Sequence, residues 1–453
     1  MCIICQTATI GASLLTSVLP ISVSPAETAV PTKSGTVCRT VGATTVSNSV
    51  TLTCKRVGKR LVWKRTSQAT PNTTTTTVIT TTTTTLPVTT GGFSPDTQCA
   101  DQETPRTMYW QVSNGFPKFA QRIPSAGSVR VLMLPVDFPD VVATGSPATD
   151  MLPITRALSD VFGNLSGGNL AFDFTTLPSY LRVSRLSTSW GMGAYGAGRG
   201  DTFVADIVRE LDPQVNFAGV DVVVVMTPPS IRSNQVAYSP AMPYPVAAPL
   251  VTGERSIFSA TMTGEDAWRD PMTIVHEFGH LIGLTDLYAM YLSDEVRTTH
   301  HYTGKWDFMG YAWTKGMFGW HRFLQGWLED SEVLCANTAG EFLATLAPLG
   351  STSKTTELLL LRGASGKLVG LEVRRPGPMD EFVSASNQGV LVYTIDPSGT
   401  TGGGPLRVQG LDLDRNTYLS TAPLRIGQSL TVDGWTITVT ASGAVGDAVR
   451  VSR

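Results

Sequence analysis

The sequence predicts an α/β domain built on a mixed β-sheet, followed by an all-β sandwich domain. Arg130 to Val136 and Val220 to Met226 are nearly continuous apolar runs rich in β-branched residues. Such runs are typical of central strands that are covered on both faces of a sheet. Met151 to Phe162 and Thr202 to Leu211 show the apolar spacing of helices. This mixture of buried strands and helices indicates the α/β class.

The segment after Cys335 has a different character, because helical patterns are missing from it. Short strand-like runs separated by Gly, Pro, Asn and Asp occur at Leu358 to Leu361, Leu368 to Val373, Gly389 to Ile395, Ser429 to Val432 and Trp435 to Thr440. This pattern predicts a β-sandwich over residues 336–453. The α/β domain is then expected over residues 96–335.

Three segments precede the α/β domain. Residues 1–28 contain a moderately apolar stretch followed by small residues of the kind that a signal peptidase reads, so a signal peptide is expected. Residues 31–65 alternate apolar and polar side chains around a glycine turn, which predicts a small β-module. Residues 66–95 are Thr-rich and cannot bury enough apolar surface to fold. They are expected to form a linker or a glycosylated stalk.

The composition limits the classes of function. The 453 residues carry a net charge of −2 and only 15% of them are charged, so no broad basic surface argues for a nucleic-acid partner. No stretch after the N-terminal segment reads as transmembrane. The low charge, together with many Thr, Ser and Gly residues, suits a secreted protein.

The cysteines fit an oxidising compartment. Removal of a signal peptide leaves four of them, an even number. Cys38 and Cys54 flank a short strand-like unit, which favours a local disulfide between them. Cys99 and Cys335 bracket the α/β domain, and a bridge between them would join its two ends. The alternative is that the Cys99 thiolate binds a metal ion and blocks it.

The most specific chemical signal is the run HEFGHLIGLTD, which begins at His276 and ends at Asp286. His276 and His280 are four residues apart, so on a helix both imidazoles can reach one metal ion. Glu277 would lie beside that ion and act on its bound water. Gly283 allows the chain to turn back, after which Asp286 could supply an oxygen ligand. Three protein ligands and one open position suit a hydrolytic zinc ion.

Each of these residues also has an ordinary structural interpretation. A bare HExxH arises by chance, and Asp286 alone could cap a turn. Met309, in the glycine-flanked run GKWDFMGY, could simply fill a gap in a core. In zinc peptidases of the metzincin type, however, a methionine in such a turn lies beneath the metal ion. The complete constellation favours a metal site.

The runs HEFGHLIGLTDLY, WDFMGYAW and FGWHRFLQGWL together resemble the M6 peptidases, the immune inhibitor A family of secreted bacterial metalloproteases. The run RVLMLPVDFPD is similar to the segment that opens the family's catalytic domain. The resemblance implies a metzincin-like catalytic fold with Zn2+ bound by His276, His280 and Asp286. It also implies that Glu277 is the general base and that Met309 is the Met-turn residue.

The same resemblance supplies two further candidates. Tyr311 is expected to stabilise the oxyanion, because related metzincins place a tyrosine two residues after the methionine; a half-buried aromatic beside the turn is the alternative. Substrates of such enzymes lie along an edge strand, for which Val251 to Thr263 is a candidate, with a plain loop as the other interpretation. His300 and His301 lie in a polar loop and are expected to be solvated.

The sequence therefore predicts a secreted zinc endopeptidase whose partners are protein or peptide substrates. The alternative is a surface-displayed binding or adhesion protein with an inactive or latent peptidase domain. The Lys and Arg residues of 31–65 leave cell-wall association open, with a solvated face as the other interpretation. Asp412, Asp414 and Asn416 have the oxygen spacing of a calcium loop but lack the glycine and the distal glutamate of an EF-hand. Structural Ca2+ therefore also stays open.

Overall fold

The computed structural model of the chain describes Cys38, Val41 and residues 43–47, 50–57, 60–65, 89–103, 112–193 and 199–453. The expected signal peptide and most of the expected linker lie outside the described residues. Two compact units are present, one within residues 6–83 and one within residues 84–453. No helix in the described ranges has the length and hydropathy needed to cross a membrane.

The first unit contains a three-stranded antiparallel sheet, in the order β1 (Thr44–Ser47), β2 (Val50–Val57) and β3 (Arg60–Arg65). A disulfide joins Cys38 to Cys54, as the sequence predicts. Lys55 pairs with Val62, Val57 with Arg60 and Thr53 with Lys64 across β2 and β3. Directly opposed residues of an antiparallel pair share a face. The exposed side chains of Lys55, Arg60 and Lys64 therefore lie on one face of this sheet.

The second unit begins with a mixed sheet of six strands. These strands are β4 (Gly127–Asp137), β5 (Leu170–Thr176), β6 (Leu181–Arg182), β7 (Val222–Met226), β8 (Ala241–Pro243) and β11 (Ser259–Met262). Two more strands, β9 (Leu250–Val251) and β10 (Ser256–Ile257), form a separate hairpin. The order is β5-β4-β7-β11-β8, and β6 pairs with the end of β4. All neighbours are parallel except β8, which is antiparallel to β11 and forms the edge.

Helices cover both faces of this sheet. They are α1 (Pro147–Asp150), α2 (Leu152–Leu165), α3 (Gly200–Leu211), α4 (Glu265–Arg269), α5 (Met272–Leu281) and α6 (Gly319–Leu324). Val129, Val131 and Met133 of β4 share one core with α2 and α5, whereas Leu132 and Leu134 share another with α3. Because successive strand residues point to opposite faces, a strand covered on both sides must be apolar throughout. The predicted central strands and helices are thereby confirmed, and the chain has a mixed α/β fold.

Two further sheets follow. Their strands are β12 (Val333–Ala336), β13 (Glu341–Leu346), β14 (Leu358–Arg362), β15 (Leu368–Arg374), β16 (Gly389–Ile395), β17 (Leu406–Gln409), β18 (Ser429–Val432), β19 (Trp435–Gly443) and β20 (Gly446–Ser452). One sheet has the order β12-β14-β15-β16-β17 and the other β13-β20-β19-β18. Side chains from both sheets enclose a common apolar core around Trp435. Each strand predicted for this part of the chain is present.

The five-stranded sheet is buried on its second face as well. Leu358 and Leu360 of β14 belong to the core that contains α5, whereas Leu359 and Leu361 belong to the core between the two sheets. The run of four leucines is explained by this double burial. The α/β part and the C-terminal sheets therefore share one hydrophobic core within the second unit.

Two covalent or ionic links reinforce this shared core. Cys99 forms a disulfide with Cys335, 236 residues later, so its thiolate is not available to a metal ion. The fully buried Arg374 guanidinium contacts Glu372 Oε1 at 2.6 Å and Asp380 Oδ2 at 2.7 Å. Arg374 also donates to the Trp306 carbonyl at 3.1 Å. This residue of β15 thereby anchors the segment that leads into the run containing Met309.

Candidate metal centre

The helix α5 positions the two histidines of the HExxH run. It starts directly after Pro271, which suits a first turn, and its apolar residues enter the core shared with α2. His276 and His280 follow one turn apart, with ring centroids 5.0 Å from each other. The helix ends at Leu281, and Gly283 has a φ of 102°, a value that favours glycine. The chain reverses there, as predicted, and returns Asp286 to the histidines.

The three predicted ligands converge on one point. His276 Nε2 lies 3.1 Å and His280 Nε2 lies 3.2 Å from Asp286 Oδ1. All three ligand atoms lie within 4.8 Å of one another, and no other such group of His, Cys, Asp or Glu occurs in the described part of the chain. His276 and Asp286 are buried, and His280 is partly exposed. A single small cation could therefore contact all three.

Hydrogen bonds on the far side of each imidazole define its tautomer. His276 Nδ1 lies 3.0 Å from the Phe308 carbonyl oxygen, and His280 Nδ1 lies 2.8 Å from that of Leu284. A carbonyl only accepts, so each Nδ1 carries the proton and donates it. The Nε2 lone pairs then face Asp286 Oδ1, which is also an acceptor. A proton or a metal ion must therefore lie among these three acceptors, and imidazoles oriented in this way are typical of metal ligands.

The electrostatics support a positive charge at the same point. Burial alone would lower the pKa of His280, but the Asp286 carboxylate outweighs it and raises that pKa to about 9. The pKa of His276 is raised in the same way. Burial would raise the pKa of Asp286, yet the two imidazoles hold it well below its usual range. A divalent cation would provide this positive charge without protonation of the histidines, and two imidazoles with one carboxylate suit zinc.

Glu277 lies on the neighbouring side of α5 and is buried. Its Oε2 accepts a hydrogen bond of 2.6 Å from the backbone N–H of Ala241, the first residue of β8. Burial raises the pKa of Glu277, and the adjacent imidazoles only partly oppose this effect. Val251 to Thr263, one of the two interpretations left open for the edge strand, does not supply it, because β11 lies inside the sheet and β8 forms the edge on this side. The first residue of this edge strand, Ala241, thus contacts the Glu277 carboxylate.

Met309 is fully buried and packs against α5 at Gly279, which lies between His276 and His280 in the sequence. A Cβ at Gly279 would collide with its Sδ, so the close approach requires glycine at that position. The Met309 carbonyl accepts from Leu287 N at 2.9 Å, which ties the turn to the segment after Asp286. Its own N–H donates to the buried carboxylate of Asp307 at 2.8 Å.

Asp307 is a structural residue of this site that the sequence prediction missed. Its carboxylate also accepts from Phe318 N at 2.8 Å and contacts His321 Nδ1 at 3.0 Å. These contacts fasten both ends of the turn that contains Met309. The signal in the sequence was an Asp two residues before the methionine, the spacing at which Asx side chains bond the backbone of a turn.

Tyr311 lies in a cluster of aromatic rings, and its expected role in stabilising the oxyanion stays a prediction. The Tyr311 ring packs against His300, Trp313 and Tyr418, with centroids 4.7, 5.2 and 5.1 Å away. The Tyr288 ring centroid lies 6.1 Å from that of His276, one of the predicted ligands. Tyr288 follows Asp286 by two residues and was not singled out from the sequence.

The remaining candidates lie elsewhere. His300 Nδ1 contacts the Gly310 carbonyl at 3.0 Å, and the exposed Arg415 guanidinium lies 3.0 Å from His301 Nδ1. Asp414 caps the 3-10 turn Arg415–Thr417 by accepting from Asn416 N at 2.9 Å. The oxygen spacing of this loop is thus used for a local turn, and its calcium role stays a prediction.

The buried carboxyl of Asp266, in α4, makes the stability of this region depend on pH. It accepts from Ser239 and from Ala267 N, and burial raises its pKa from 3.8 to about 7. Between these pH values the folded chain holds a proton that the unfolded chain has released. The stabilising contribution of the protonated carboxyl is therefore complete below pH 4 and lost as the pH rises to 7.

Asp266→Asn is expected to remove this part of the pH dependence. The free energy of unfolding of the variant minus that of wild type should increase by up to about 1.4 kcal/mol for each pH unit from 4 to 7. Urea unfolding across this range measures it, with the exposed Asp160→Asn as control. An Asp266→Asn curve parallel to that of wild type would contradict the expectation.

The comparisons with known proteins give no identification: no family model matches the chain, and no curated protein matches it significantly.

Proposed function

We propose that the chain is a secreted zinc endopeptidase of the metzincin type, akin to the M6 peptidases. The observation that carries the proposal is the convergence of His276 Nε2, His280 Nε2 and Asp286 Oδ1 on one point, with Glu277 beside them. Met309 beneath the helix and the reversal at Gly283 support the same assignment. The two disulfides suit an extracellular location.

The chemistry follows from these residues. His276, His280 and Asp286 would hold the zinc ion, which when bound would supply Lewis acidity toward water and a peptide carbonyl. Glu277 accepts the proton of the attacking water and transfers it to the leaving amine. Its raised pKa brings it closer to neutrality, where a group can both take up and release a proton. The N–H of Ala241 holds the carboxylate in place for both steps.

The edge strand β8 supplies a place for the substrate. An extended peptide can add to an exposed sheet edge through backbone hydrogen bonds. Because β8 begins at Ala241, which donates to Glu277, a peptide paired with this strand would pass the general base. A role of Tyr311 or Tyr288 in stabilising the oxyanion belongs to the same proposal, and Tyr288 has the ring contact with a ligand.

The second candidate is a surface-displayed binding protein with an inactive or latent peptidase domain. The exposed Lys55, Arg60 and Lys64 on one face of the first unit favour contact with acidic wall polymers. This function and proteolysis can coexist on one chain. The intact ligand set and the intact Glu277 favour the enzyme as the main activity.

Zinc content and casein cleavage test the proposal together. The protein from culture supernatant and from the washed wall fraction is expected to hold one zinc ion per chain and to cleave casein. Treatment with a chelator should abolish cleavage, and added zinc should restore it. Zinc binding without cleavage of casein or of a peptide library would favour the binding protein, and absence of zinc would refute the metal centre.

A further inference from the structure

The loop between β16 and β17, residues 396–405, reaches from the C-terminal sheets to the candidate metal centre. Thr401 Oγ1 accepts a hydrogen bond of 3.0 Å from the backbone N–H of Asp286. The same hydroxyl lies 3.5 Å from Asp286 Oδ2, within reach of a long hydrogen bond. Gly402 N donates to the Asp286 carbonyl at 2.9 Å. Three contacts thus join two adjacent loop residues to a single metal-ligand residue.

The loop that makes these contacts is itself held in place. Asp396 N donates to the Pro405 carbonyl at 2.8 Å and closes the loop at its base. Asn114 Nδ2 donates to the Gly399 carbonyl at 2.6 Å. Gly402 has a φ of 67° and lies against Met290, where a Cβ would collide. The Gly402 carbonyl accepts from Met290 N at 3.1 Å. Thr401 is therefore presented from a fixed backbone.

The hydroxyl of Thr401 distinguishes the two oxygens of the Asp286 carboxylate. A hydroxyl has one proton, and since the Asp286 N–H occupies an acceptor position, that proton can go to Oδ2. Oδ1 is then left facing the Nε2 atoms of His276 and His280. Hydrogen bonds to a ligating carboxylate orient it and tune the affinity for the metal ion.

We propose that Thr401 is a positioning residue that directs Asp286 Oδ1 toward the two imidazoles and thereby sets the affinity of the centre for zinc. The inference rests on the proposed zinc site and extends it to the C-terminal sheets. In this arrangement the loop 396–405 is a wall of the metal centre. The C-terminal sheets then contribute to metal binding through one hydroxyl and one backbone N–H.

The test compares zinc affinity in full-length variants by competition with a chromophoric chelator. Thr401→Val keeps the shape of the side chain and removes the hydroxyl, and we expect zinc binding to weaken by about 10- to 100-fold. Thr401→Ser retains the hydroxyl and should stay within about threefold of wild type on the same grounds. Thr400→Val, at the exposed neighbouring threonine, is the control and should bind as wild type does.

A second readout separates orientation of the ligand from general damage. The visible absorption of the Co2+-substituted protein reports ligand geometry, so Thr401→Val should alter the bands and Thr401→Ser should restore them. Thermal unfolding of the metal-free proteins should be similar for Thr401→Val and Thr400→Val. Wild-type affinity and an unchanged Co2+ spectrum in Thr401→Val would overturn the inference, as would equal losses in the Val and Ser variants. If wild type itself binds no zinc, the proposed function fails first, and the inference fails with it.

Discussion

Glu277→Gln is expected to reduce kcat/KM for peptide hydrolysis by about 10³-fold or more while leaving zinc bound. The substitution preserves the size of the side chain, and the amide oxygen can still accept from Ala241 N, which lies 2.6 Å from the carboxylate in the wild type. An amide cannot take up the proton of the attacking water. General acid–base catalysis alone contributes about 10²- to 10⁴-fold, and in the proposed mechanism one residue both takes up and releases the proton.

The measurement is the rate of cleavage of a fluorogenic peptide, with zinc content determined on the same sample. Glu341→Gln is a matched control, because the Glu341 side chain is 68% exposed on β13. It should cleave as fast as wild type. Activity of Glu277→Gln within tenfold of wild type, with zinc bound, would mean that another group carries the proton. Loss of zinc from the variant would assign Glu277 to metal binding instead.

Arg374→Met is expected to lower the free energy of unfolding by about 3 to 5 kcal/mol. Arg374 and Glu372 are fully buried, and Asp380 is nearly so. Removal of the cation leaves two carboxylates without their charge partner in the interior. Burial already raises the pKa of Glu372, and the Arg374 charge opposes that effect. Loss of the guanidinium would therefore favour protonation of Glu372 or local unfolding.

Urea unfolding at neutral pH measures this effect. Lys315→Met supplies the matched control, since the Lys315–Glu381 pair, at 2.6 Å, is largely exposed and should contribute about 1 kcal/mol or less. A triple variant that also carries Glu372→Gln and Asp380→Asn should recover part of the lost stability. Equal destabilisation by Arg374→Met and Lys315→Met would show that the buried cluster contributes no more than a surface pair.

The sequence was sufficient for the elements whose pattern is local. Continuous apolar runs predicted the central strands β4 and β7, because a strand covered on both faces needs apolar residues at every position. The spacing of His276 and His280 on one helix is likewise local, and so is the glycine at which the helix ends. The Cys38–Cys54 disulfide is local as well, whereas the sequence left a metal-bound Cys99 open beside the Cys99–Cys335 bridge that the structure shows.

The rest depends on contacts between distant parts of the chain. Ser239 to Pro245 contains three prolines and reads as a loop, yet pairing with β11 makes part of it the edge strand. Thr401 lies 115 positions after Asp286, and nothing in the sequence around Thr401 marks it as a partner of Asp286. Tyr311 was chosen by analogy of spacing and Tyr288 was not considered, because ring contacts depend on how the turn packs.

The bridge between Cys99 and Cys335 has a consequence for a nicked molecule. It encloses the three predicted ligands, Glu277 and Met309 in a covalent loop, so a single cut inside the loop cannot release either fragment. Tyr291 and Leu292, 75% and 57% exposed, lie in a segment open to such a cut. The three ligands would then fall on one fragment and Met309 on the other, and the disulfide would still join the two. Cleavage there would break the chain, but the disulfide would keep the two fragments in one molecule.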